Sequence, residues 1–143
     1  MASISQVLSS QQGPYKWGVR DCLLTAQAVI QSQGLIPPDY SRFHQMEESV
    51  AIRSTQKIFG SMLNAHTMLF QHAGLKLVHN HRVGDILLLE GNISSNSLEA
   101  TINVGQITRL GFVTNNYEIW TWFDFGLYPV HKYDVKGIFS CRH

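Results

Sequence analysis

A change of hydrophobic period near Gly74 divides the chain into two parts that cannot fold alike. Up to that glycine, apolar residues return every three or four positions, the spacing that gathers them on one face of a helix. Ile4, Val7 and Leu8 mark a short helix within Ser3 to Gln12, ended by Gly13 and Pro14. Cys22, Ala26, Val29 and Ile30 mark a second, from Asp21 to Gln33, with Asp21 as its N-cap and Gly34 as its C-cap. Pro37 and Pro38 make Leu35 to Arg42 a connection, and helical spacing resumes over Met46 to Phe59 and over Ser61 to His72.

After Gly74 the apolar runs are β-branched and aromatic, separated by Gly, Asn and Asp. They predict strands at Leu75 to Val78, Asp85 to Leu89, Ile102 to Val113, Glu118 to Phe123, Leu127 to Val130 and Val135 to Cys141. Asn115 and Asn116 predict a tight hairpin turn, because Asn tolerates positive φ, and Glu90 to Ala100 predicts a mobile loop. Helices followed by strands predict an α+β fold, with the N-terminal helices packed on one side of a C-terminal antiparallel sheet or meander. The length fits one domain over residues 1–143, enough to bury roughly two thirds of the surface of the unfolded chain.

Several function classes fall away on composition. With 44% hydrophobic and 15% charged residues the chain is too apolar for disorder, and a formal charge of +1 gives no field to attract nucleic acid or anionic lipid. Cys22 and Cys141 are too few for a disulfide framework, which favours a reducing compartment. The N-terminus lacks the basic start and apolar core of a signal peptide, and no run approaches the ~18 apolar residues of a membrane span. His79 and His81 flank Asn80 without a third ligand, and no glycine-rich phosphate loop occurs, so neither a metal nor a cofactor is expected.

Cys22 is the residue that can carry chemistry. In the first turn of a helix, unpaired N–H groups and the positive end of the macrodipole favour thiolate, whereas a free carboxylate on Asp21 opposes it unless it is turned to the backbone as a cap. The competing reading is a small buried hydrophobe facing the core beside Ala26.

The words around Cys22 shift that balance. YKWGVRDCLLTAQAVI resembles the NlpC/P60 pattern, in which an aromatic-Trp-Gly stretch leads into Asp-Cys at the head of a buried helix. VGDILLL, from Val83 to Leu89, resembles the family's Gly-Asp before the first central strand. RLGFVTNNYEIWTWFDFGLYPV, from Arg109 to Val130, is similar to the hairpin that follows, and VKGIFSCR to the closing strand of compact versions found in phage tails and prophages. These landmarks keep the family's order from Tyr15 to Arg142.

The resemblance implies a papain-like fold with Cys22 as nucleophile and a histidine base at the start of the central strand. The matching position here is Arg109, or Asn103 if INVGQI is that strand, and neither side chain can serve as a base near neutral pH. His79, His81 and His131 are candidates for a displaced base, although each also reads as a solvated surface residue, and His66 and His72 read as the edge of their helix. Trp17, Asp21, Trp120 and Trp122 are candidate contacts to a substrate or partner. Alternation over YEIWTWF puts large apolar groups on both faces of one strand, which predicts either a fully buried central strand or a Trp face that docks a neighbouring subunit or a glycan.

Two functions follow from the resemblance. One is a cysteine peptidase or amidase acting on bacterial peptidoglycan; the other is a component of a phage tail tip or baseplate, made in the bacterial cytoplasm and ending in the virion, where the old cleft meets other tail subunits. A third is an immunity or adaptor protein that binds a partner of the same fold.

Overall fold

The computed structural model describes residues 3–95, 100–103 and 109–142. Five helices come first: α1 (Ile4–Ser9), α2 (Cys22–Ser32), α3 (Ser41–His44), α4 (Glu48–Phe59) and α5 (Met62–His72). Seven strands follow: β1 (Lys76–Leu77), β2 (Ile86–Ser95), β3 (Ala100–Asn103), β4 (Arg109–Val113), β5 (Ile119–Phe123), β6 (Gly126–Val130) and β7 (Lys132–Ser140). All pairings are antiparallel, in the order β1-β7-β2-β4-β5-β6, with β3 paired to the far end of β2. The mixed α and β composition and the antiparallel sheet are those expected.

The helix starts follow from their caps. Ser3, Asp21 and Ser61 each accept a hydrogen bond from the N–H three residues on, which satisfies a donor the helix itself leaves open. Ser3 and Gln6 complete a reciprocal capping box.

Four expectations need correction. The helix predicted from Met46 begins at Glu48, because Glu47 is extended (ψ 148°), and a separate turn of helix, α3, occupies the end of the predicted connection. The indole N–H of Trp17 donates to the Met46 carbonyl at 2.9 Å and holds that break. The loop expected over Glu90 to Ala100 is largely strand: β2 runs on to Ser95 and β3 begins at Ala100, while 96–99 lie outside the described residues. The strand predicted over Ile102 to Val113 is two strands, with 104–108 likewise outside.

The sheet is also more than a meander. β2, β4, β5 and β6 follow one another, but β7 crosses back to the other side of β2 and carries β1 on its outer edge. In the β4–β5 turn the positive φ falls on Tyr117 (59°), one residue beyond the two asparagines. Tyr117 N–H donates to the Thr114 carbonyl at 3.0 Å and Thr114 N–H to the Glu118 carbonyl at 2.8 Å, a three-residue loop in which the third residue takes the left-handed conformation.

Strand alternation builds two cores. Ile86, Leu88, Leu110, Phe112, Trp122 and Phe139 face the helices, where they meet Ala26, Val29, Ile30 and Phe70. Leu87, Leu89, Val113, Ile119, Phe123 and Val130 face the other way and pack on one another. That second face is closed by curling, since β6 approaches β2 across the intervening strands. Burial on both faces explains why the stretch from Ile86 to Leu89 reads as an unbroken apolar run rather than an alternation.

Candidate active-site cleft

Cys22 opens α2 with Asp21 before it, and Asp21 is wholly buried. The Asp21 carboxylate is fully engaged: Oδ1 accepts from Leu24 N–H at 2.9 Å, and Oδ2 accepts from Gly18 N–H at 2.7 Å and lies 2.9 Å from His44 Nε2. The carboxylate is therefore turned to the backbone as a cap. Trp17 tilts against the His44 ring, 4.8 Å between centroids, so the Trp-Gly-Val-Arg-Asp-Cys segment is held in shape by these contacts.

The next landmark, Gly84-Asp85, is a bracket rather than part of the cleft. Gly84 takes a positive φ (87°), its carbonyl accepts from Gln33 Nε2 at 2.8 Å, and Asp85 Oδ2 accepts from Arg82 N–H at 2.8 Å and from Arg142 Nη2 at 2.7 Å. One buried carboxylate thus ties the start of β2 to the end of the chain.

Arg109, the first residue of β4, stands beside Cys22, where both line one cavity. Its guanidinium lies over the Tyr15 ring at 4.9 Å, and the Tyr15 hydroxyl donates to Glu48 Oε2. Among the described residues Arg109 has no carboxylate in ion-pair contact, and its Nε is buried without a hydrogen-bond partner.

Burial, more than charge, disfavours the thiolate of Cys22, a residue that is half-buried at the head of α2. Burial pushes its thiol up to about 11; the Arg109 guanidinium pulls the other way, Asp21 adds to the rise, and the N–H groups of Leu110 and of Cys22 itself lower it slightly. Helix N-terminus and arginine together do not overcome the loss of solvent. Glu48 is also raised, first by burial and further by Asp124, against the pull of Arg109.

Cys22 and Arg109 line one half-open cavity with mostly apolar walls. Its far side is made by two helices at matched spacing: Glu48, Ala51, Ile52 and Thr55 on α4, and Met62, Ala65, His66 and Leu69 on α5. Both sets are i, i+3, i+4, i+7, and alanine at the centre of each leaves the space open. Tyr40 supplies a further wall, its hydroxyl buried without a partner and raised by burial and by nearby Cys22 and Asp21.

His66 is the imidazole in this cavity. It is 5% exposed, stacks on Phe70 at 5.4 Å, has no partner for Nδ1, and is brought down to about 4 by burial alone. The sequence places it on a helix edge, and the signal that it faces inward is its 62-65-66-69 spacing. The three candidate bases stand elsewhere. His79 is exposed in a groove with Leu77 and Val135, His131 is exposed in one with Tyr117 and Pro129, and His81 is half-buried in the loop before Asp85. None lines the cavity of Cys22 or affects its ionisation.

The tryptophans divide. Trp122 offers no surface to a partner: it is fully buried under α2, and its indole N–H donates to Thr25 Oγ1 at 2.9 Å. Trp120 is half-buried against α1, in a groove with Ser5, Leu8 and Ser9. Trp17 keeps part of its ring on the cleft.

Among the described residues no three His, Cys, Asp or Glu side chains group to hold a metal, and no helix is long and apolar enough to cross a membrane. Comparisons with protein-family models, curated proteins and solved structures gave no match to this chain.

Proposed function

We propose that this chain is an NlpC/P60-like domain that has given up hydrolysis and serves as a structural component of a phage tail tip or baseplate. The observation that carries the loss of hydrolysis is that Cys22 shares its cavity with Arg109, a permanent cation that cannot take a proton from the thiol. Asp21, the other charge that acts on Cys22, is committed to capping α2 and to His44. The tail setting rests on the resemblance of Tyr15 to Arg142 to compact members of that family, whose landmarks occur here in order.

The specific observation on the side of catalysis is His66, a neutral imidazole in the same cavity with Nδ1 unpartnered. A hydrolase built on it is the second reading. Purified wild-type protein, Cys22→Ala and His66→Ala incubated with bacterial cell-wall sacculi separate the two. We expect no soluble peptide release above background from any of the three. Release by wild type that is lost in both variants would establish the hydrolase instead.

A further inference from the structure

The cavity beside Cys22 contains more unsatisfied polarity than a core void should. Tyr40 is 1% and His66 5% exposed, yet the Tyr40 hydroxyl and His66 Nδ1 have no partner, and neither has Arg109 Nε. Buried polar atoms left without partners are costly, so three around one space point to an occupant that satisfies them. Leu23, Ala51, Ile52, Met62, Ala65 and Leu69 offer only dispersion and hydrophobic contact, and the Thr55 hydroxyl is taken up by the Ala51 carbonyl. Glu48 also lines this wall but accepts from the Tyr15 hydroxyl, and among the described residues Arg109 makes no ion pair, which leaves its Nε for an anion in the cavity.

We propose that this cavity binds a small monocarboxylate with a short alkyl body, its head on Arg109 and its tail between α4 and α5. The head accepts hydrogen bonds from the guanidinium and the Tyr40 hydroxyl, two donors matched to an anion with several lone pairs. His66 in its neutral form offers Nδ1 as donor or acceptor, according to its tautomer, deeper along the same wall. The cavity measures about 50 Å³. A single water needs roughly 10–15 Å³ on that measure, so the space takes a short chain rather than a long acyl group. This inference deepens the non-catalytic reading of the cleft and rests on it, since the ligand is held and not turned over.

The test is calorimetric titration of the whole protein with sodium hexanoate and, separately, with 1-hexanol, which has the same body and no charge. We expect saturable hexanoate binding at least tenfold tighter than hexanol. Arg109→Gln should weaken hexanoate at least tenfold and leave hexanol within threefold. Ala65→Leu, which fills the space, should abolish both. Hexanoate should also slow alkylation of Cys22 in a Cys141→Ser background. Equal affinity for acid and alcohol, indifference to Arg109→Gln, or no saturable binding by protein shown folded by circular dichroism would overturn the proposal. So would tighter binding of a short peptide with a free C-terminal leucine, which would make the cleft a socket for a partner's chain end. The outcome is separable from the question of hydrolysis: sacculus cleavage would sink the non-catalytic reading whatever hexanoate does, and failure of hexanoate to bind leaves that reading standing.

Discussion

Arg109 and Cys22 face each other where the first residue of β4 meets the first residue of α2, and the cation does not bring the thiol into the range of a nucleophile. Burial dominates because a thiolate there must shed its water, and one partly shared guanidinium returns less than is lost.

Asp21 holds that geometry. It is wholly buried and accepts from two backbone N–H groups as well as contacting His44. Replacing Asp21 with Ala removes the cap and leaves the Gly18 N–H and His44 unpaired, for an expected loss of about 2–4 kcal/mol in urea unfolding. Asp21→Asn, which can still cap, should recover part of that loss.

His66 makes stability fall in acid. Its folded value of about 4 is depressed below the ordinary 6.5, so the unfolded chain takes up the proton first as pH drops. The contribution is complete above about pH 6.5 and is lost as pH falls through 4, up to about 3 kcal/mol in all. Urea midpoints at pH 7 and pH 4.5 should differ more for wild type than for His66→Phe. Equal differences would show that the imidazole is not held neutral by burial.

Gly111 explains the glycine in the Leu-Gly-Phe motif. A Cβ built there would lie 2.8 Å from Leu89 Cδ1 and 2.9 Å from Ile119 Cγ2, and the branched Ile119 has little freedom to withdraw. Gly111→Ala should cost about 1–3 kcal/mol by overpacking the second core. Ile119→Val in the same chain should return some of it, measured by thermal unfolding.

Much of this architecture was legible from periodicity. The cap Asp21 and the break at Gly74 are local signals, and alternation gives Ile119 to Phe123 two apolar faces, of which the structure buries both. The return of β7 to β2 was not, because which strand a strand pairs with depends on the curl of the whole sheet. Nor was the extension of β2 through Glu90 to Ser95, where Gly, Asn and Ser resemble a loop yet pair with β3 and β7.

The candidate site divides in the same way. Asp21, Cys22 and Arg109 could be placed in register with one another from the motifs, and the structure brings them together. His66, Tyr40 and Glu48 could not, because their chemistry depends on two helices folding across the cleft, and only a shared 3.6-residue stripe hints at it. His79 and His81 precede β2 and His131 follows β6, but flanking a strand does not decide which surface a side chain meets, and all three lie away from Cys22.

The central claim is that Cys22 is an unactivated thiol, and the pH dependence of its alkylation in a Cys141→Ser background tests it most directly. The account predicts a midpoint well above the 9.0 of an ordinary thiol, near 11, moving higher still in Arg109→Gln as the one stabilising cation is lost. A midpoint below about 8, or one that falls when Arg109 is removed, would contradict it.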